Sequence, residues 1–168
     1  MGLVVVQDEA RPDTIAAAVR ERFAARGFFE SIQQRVDQAD SEAVRRRMED
    51  VLHFFSDVSE APILVVPCLY RISSPTSDPH SLLAGTSIYG AVQNLMFAAR
   101  AEGLGTVLTT FNMRIEDVLR REFNLPDDAK PVAVIPVGWP DGERFGPTTR
   151  RPVQDVTYWD AWNATRSF

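Results

Sequence analysis

Two kinds of apolar run alternate along the 168-residue chain: short β-branched stretches, and longer segments in which apolar residues return every three or four positions. The opening "GLVVVQD" is of the first kind and reads as a strand buried on both faces. It begins at the first residues, so either chain preceding it or a partner is expected to cover it. From Asp13 to Arg26, the residues Ile15, Val19 and Phe23 recur at steps of four and lead into Gly27, which predicts a helix with a glycine stop. "GFFESIQQRVDQAD" has adjacent Phe28 and Phe29 and little periodicity beyond Ile32 and Val36, and reads as a loose or helical connection. From about Ser41, the residues Val44, Met48, Val51, Leu52 and Phe55 follow one face of a helix while arginines and acids take the other.

"APILVVPCLY" is the second buried strand, with Pro62 at its entry and an edge position or a bulge expected near Pro67. The Ser- and Pro-rich "RISSPTSDPHS" reads as a surface loop. Next, Thr86 or Ser87 is placed to cap a helix whose apolar positions Ile88, Ala91, Val92, Leu95, Met96 and Ala99 span more than one face, joined by Tyr89 and Phe97. Such a helix is expected to be buried on several sides, to end at Gly103 and to lead into an extended "TVLTT". A helix capped by Asn112 follows, with Glu116 and Asp117 early and Arg120 and Arg121 late, the order the backbone dipole favours. "KPVAVIPVGWP" is a third strand, ended by Gly138 and Pro140. Helices alternating with short buried strands predict an α/β or α+β domain around one small sheet. Residues 1–168 read as a single domain, in which 141–168 form an extended tail ending in Tyr158, Trp159 and Trp162.

Composition narrows the function more than the fold. Hydrophobic residues make up 45% of the chain, enough to fill one core. A net charge of -5 argues against a general affinity for nucleic acid. The run Arg45, Arg46 and Arg47 shares its helix with Glu42, Glu49 and Asp50 and reads as a solvated face. The single cysteine, Cys68, lies in an apolar run, forms no internal disulfide and reads as a buried, inert thiol. No apolar run approaches the ~20 residues of a membrane span, and the start lacks the basic residues of a signal peptide, so a cytoplasmic protein is expected. His53, His80 and Cys68 give no zinc spacing, so no metal is expected. "GLGT" follows a helix rather than a strand and is no phosphate loop, and no Gly-x-Ser-x-Gly elbow occurs. A chain without an acid, base or nucleophile cluster that still catalyses would leave the chemistry to a bound cofactor.

Three blocks carry a resemblance: "SIYGAVQNLMFAARAEGLGTVLTT", "MRIEDVLRREFNLPDDAKPVAVIPVGWP" and "FGPTTRRPVQDVTYWD". In order and spacing they resemble the nitroreductase family of FMN-dependent NAD(P)H oxidoreductases, and "GLVVVQD" and "APILVVPCL" are similar to that family's earlier strands. The resemblance implies an α+β three-layer fold, with a small central sheet flanked by helices, forming a homodimer that holds FMN at the subunit interface. It implies ping-pong transfer of hydride from NADH or NADPH through the flavin N5 to a nitroaromatic, a quinone or a similar small-molecule acceptor. By position, Leu108, Thr109, Thr110 and Phe111 fall where the family lays backbone groups against the flavin, with an amide at Thr110 or Phe111 donating to the ring edge. Arg150 and Arg151 fall where it binds the FMN phosphate. On the same reading the long apolar helix is the core helix at the subunit interface, and Gly103 and Gly105 turn the chain tightly toward the flavin.

The sequence also departs from the family. The paired N-terminal helices with an Arg-x-Ser-x-Arg segment and a Gln-Pro-Trp are lacking before "GLVVVQD", and Thr148 stands where many members carry a second basic residue. The expected fold is therefore N-terminally truncated, with one side of the flavin pocket. That leaves a second reading: a non-catalytic dimeric binding or interaction protein that kept the scaffold and lost FMN.

Overall fold

The computed structural model describes residues 1–7, 10–70, 82–141 and 150–165, with the backbone alone at 82–84. The loop expected at 71–81, the tail's 142–149 with Thr148, and His80 lie outside the described residues. In chain order the elements are β1 (Gly2–Val6), α1 (Ala10–Ala24), α2 (Phe28–Asp37), α3 (Glu42–Ser56), β2 (Ile63–Tyr70), α4 (Leu82–Ala101), β3 (Gly105–Thr106), α5 (Glu116–Glu122), β4 (Ala129–Pro131) and β5 (Ile135–Gly138). Short 3-10 turns occupy Val58–Glu60, Phe111–Arg114 and Val153–Val156.

The strands form one antiparallel sheet in the order β1, β2, β5, β3, with β4 also paired to β2. Strand β2 is central, and its side chains divide by alternation between two cores. Leu64, Val66 and Cys68 join Ile15, Ala16 and Val19 of α1 and Val118 and Leu119 of α5. Val65 and Leu69 point to the other face, where Ile88 and Val92 of α4 close on them with Ile135 and Val137. The result is the expected α+β arrangement of three layers, α4 over the sheet over α1 and α5.

Pro67 sits inside this central strand rather than at an edge. The register changes from Val65 opposite Ile135 to Cys68 opposite Pro131, so two residues of β2 face three, Val132 to Val134. The expected bulge therefore exists, on the strand facing the proline, and it divides "KPVAVIPVG" into β4 and β5. Pro67 O accepts from Val132 N at 2.9 Å, so the proline's missing N–H also points to the bulged side, where the ladder is already broken.

Strand β1 corrects the expectation of burial on both faces. Val4 and Val6 pair with Val66 and Leu64 above the α1 core, whereas Leu3 and Val5, 45% and 53% exposed, lie bare on the α4 side. A β-branched run looks the same whether one face or both are covered. Segment α2 is helical, and the signal was Phe28, Ile32 and Val36 at steps of four, which pack against Met48, Val51 and Leu52 of α3. Gly27 at φ +66° separates α1 from α2 as expected. Ser41 caps α3 by accepting from Val44 N, and Arg45 and Arg46 pair with Glu42 and Glu49 along its solvated face.

Helix α4 begins at Leu82, so Thr86 and Ser87 lie inside it and cap nothing. Within one chain it is covered on one side. Ile88 and Val92 are buried against the sheet, while Phe97 is 65% exposed and Tyr89 is half exposed, with its hydroxyl donating to Val132 O at 3.3 Å. Gly103 ends it at φ +83°, as expected. Gly105 has no part in that turn: it is a strand residue opposite Gly138.

Candidate functional site

The segment leaving α4 runs along the free edge of the sheet and sets up the region singled out by the sequence. Gly105 and Thr106 pair with Gly138 and Val137; beyond them Val107 N donates to Pro136 O at 3.4 Å and Thr109 N to Val134 O at 3.3 Å. In an extended chain alternate amides point to opposite sides, so with 107 and 109 turned into the sheet, Leu108 and Thr110 present theirs outward. Among the described residues, the amides of Leu108, Thr110 and Phe111 have no acceptor. Phe111 opens the 3-10 turn, whose first amides have no partner within it.

The side chains of the strip hold it rigid. Thr109 is buried and its Oγ1 donates to Val134 O, so its hydroxyl is committed to the sheet. Phe111 is buried in the α1 core and packs against Phe55, leaving only its backbone to meet a ligand. Asn112 does not cap α5, whose N-cap is Ile115 without a side-chain bond. Instead its Nδ2 donates to Pro131 O at 3.1 Å and ties the turn to β4. Its buried Oδ1 has no partner among the described residues, a cost of about 1–3 kcal/mol borne next to the outward amides.

The strip lies between two clefts. One, of about 460 Å³, is framed by His53, Asp57 and Glu60 on one side and by Gly105, Thr106, Val107 and Trp139 on the other. His53 Nε2 is 3.0 Å from Glu60 Oε2, and its Nδ1 is 4.0 Å from Asp57 Oδ2. The three offer donor atoms within 4.8 Å of one another, a combination the sequence reading missed because it forms only where the chain leaves α3 and turns through Val58–Glu60. All three side chains are about half exposed or more, so water competes with each of these contacts. The second cleft, of about 530 Å³, lies between Arg22, Ala25 and Arg26 and the Met113–Arg114 pair.

Arg150 and Arg151 lie on the exposed tail and line neither cleft. No described tail residue from 150 to 165 is buried, and Tyr158 and Trp162 pack against each other with ring centroids 4.8 Å apart and planes tilted by 54°. The structure thus brings Leu108, Thr109, Thr110 and Phe111 together as one strip and places the two arginines on a separate segment.

Cys68 is the inert thiol that was expected. It is buried in the α1 core, its Sγ donates weakly to Val66 O, and burial pushes its pKa from 9.0 up to about 11. Iodoacetamide at about pH 8 is expected to leave the folded protein unmodified and to alkylate the urea-unfolded chain, as read by mass spectrometry. Because the folded pKa is the raised one, stability is unaffected by this group below pH 9.0 and falls as pH rises toward about 11, where only the unfolded chain readily gives up the proton.

The chain matches the model of the nitroreductase family over residues 2–139. Over 107 residues it is 34% identical to the nitrobenzene nitroreductase of Ectopseudomonas oleovorans, covering 63% of this chain and 42% of that protein. Over 105 residues it is 33% identical to the chloronitrobenzene nitroreductase of Comamonas testosteroni, covering 62% and 41%. The match thus spans less than half the length of these relatives. Among solved structures, the FMN- and NADPH-dependent nitroreductase from Sphigopyxis sp. strain HMH superposes with a TM-score of 0.60 at 18% identity, covering 96% of this chain and 80% of that one. A BluB-like flavoprotein from Clostridium difficile 630 gives 0.62 at 19% identity, covering 95% and 79%. The match along most of its length places this chain in the nitroreductase family, and the likeness to the solved structures agrees with it in fold.

Proposed function

We propose that the chain serves an FMN-dependent NAD(P)H oxidoreductase of nitroreductase type. The observation that carries this reading is the pair of outward amides at Leu108 and Thr110, followed by the acceptor-free amide of Phe111, on a strip that Thr109, Phe111 and Asn112 pin to the sheet. Fixed backbone donors suit the edge of a flat heterocycle that gains negative charge on reduction, because no reorganisation is needed when the charge appears. FMN, when bound, supplies hydride acceptance at N5 from NADH or NADPH and ping-pong delivery to a nitroaromatic, a quinone or a similar acceptor. Leu108, Thr110 and Phe111 orient the ring through their N–H groups, and Arg150 and Arg151 take the phosphate through their guanidinium forks.

A homodimer belongs to the same reading. The exposed Phe97 of α4, and Leu3 and Val5 left uncovered on the α4 side of β1, are apolar surface that a second subunit would bury. Among the described residues no helix is long and apolar enough to cross a membrane; a cytoplasmic placement is part of the same proposal.

Purified protein is expected to be yellow, or to become yellow on adding FMN, to bleach under NADH or NADPH, and to sediment as a dimer. A colourless preparation that takes up no added FMN would overturn the oxidoreductase reading. A dimer in that state would favour the non-catalytic scaffold.

A further inference from the structure

The cleft of about 530 Å³ at the end of α1 has a charge composition unlike that of the chain as a whole. The protein carries a net charge of -5, yet three arginines, Arg22, Arg26 and Arg114, line this one opening. They come from two separate segments. Arg22 lies in the last turn of α1 and Arg26 in the turn that follows it, and Arg114 closes the Phe111–Arg114 turn.

Local compensation is incomplete. Arg22 Nη2 is 2.9 Å from Asp117 Oδ2, an exposed pair. Arg114 lies over the ring of Phe23, with its Cζ 5.3 Å from the centroid, an interaction that fixes the side chain and leaves its charge unneutralised. Arg26 has no ion-pair partner among the described residues. One carboxylate against three arginines leaves two positive charges in a concave site, where they reinforce each other's field. Each guanidinium offers a planar fork that matches two oxygens of a phosphate. Met113, 74% exposed, adds a polarisable apolar wall beside them. The volume lies within the range of small-ligand sites.

We propose that this cleft binds a phosphorylated small molecule, its phosphate held by Arg22, Arg26 and Arg114 and its apolar part against Met113. The proposal does not depend on the flavin reading, since none of the six residues assigned to FMN lines the cleft.

The test is titration calorimetry of the full chain with inorganic pyrophosphate, 5′-AMP and adenosine in separate runs at low salt. Saturable binding of pyrophosphate, of AMP, or of both, without binding of adenosine, is expected. AMP binding assigns a nucleotide phosphate, and pyrophosphate binding alone assigns an inorganic one. The double variant R26A/R114A is expected to lose affinity by about tenfold or more. The charge-matched R46A/R47A, on the solvated face of α3, should stay within about twofold of the parent. R114K keeps the charge and the contact with Phe23 but loses the fork, and is expected to bind more weakly than the parent while unfolding at the same temperature. No saturable binding by the parent, or equal loss in both double variants, would overturn the proposal, the second by showing diffuse attraction rather than a site.

Discussion

Replacing Leu64 by alanine should lower the unfolding free energy by about 2–5 kcal/mol, the range of a fully buried leucine. Leu64 is fully buried in the central strand, opposite Val6 on one side and Pro136 on the other. Its side chain points into the core shared with Ile15, Val19 and Leu119, all fully buried. Collapse around the missing atoms is restricted, because β2 is held on both edges and covered on both faces, so most of the volume becomes a void without contact partners. Leu3→Ala makes the contrast. Leu3 is on the outer strand and half exposed, and its truncation should cost under about 1 kcal/mol. Urea titration followed by circular dichroism would report the two midpoints. Equal losses would mean that β2 is not the centre of the packing.

The difference between these two leucines also marks what the sequence makes legible. Strand β2 is readable because its residues from Leu64 to Leu69 are buried without interruption, and an unbroken apolar run has few other homes. Strand β1 has the same composition, but coverage of Leu3 and Val5 depends on how far α4 reaches across the sheet, which no local pattern encodes. The helix through Ile88 and Val92 is readable from periodicity, whereas its first turn at Leu82 is not, because Thr86 and Ser87 are as good at capping as they are tolerable inside a helix. Asn112 misled for a related reason. Its carboxamide suits an N-cap, but the carbonyl of Pro131 became available once β4 had docked, and the longer-range bond won. At the candidate site, the resemblance located the strip from Leu108 to Phe111. Which of its amides face outward is decided by pairing with Val134 and Pro136, more than twenty positions further along the chain. The two clefts depend likewise on distant segments meeting, Arg22 with Arg114 and His53 with Trp139.

That register leads to the sharpest functional expectation: Leu108→Pro should weaken FMN binding by about 10–100-fold, the loss of one hydrogen bond of about 1.5–3 kcal/mol to a charged acceptor, and leave the fold intact. Proline removes an N–H and is tolerated on an edge strand only where that N–H faces away from the sheet. Leu108 meets this condition, because the sheet bonds on either side of it belong to Val107 and Thr109. Thr109→Pro is the opposite case. It would delete both the amide bond and the hydroxyl bond to Val134 O in a buried position, and should unfold the strip and lower the unfolding temperature. Quenching of flavin fluorescence on titrating FMN gives the affinity, and thermal unfolding without FMN gives the stability. A Leu108→Pro protein that binds FMN as tightly as the parent would show that the Leu108 amide does not touch the ring. If FMN binding were lost together with a fall in unfolding temperature, Leu108 would be a structural residue, and the outward orientation deduced from Val107 and Thr109 would be wrong.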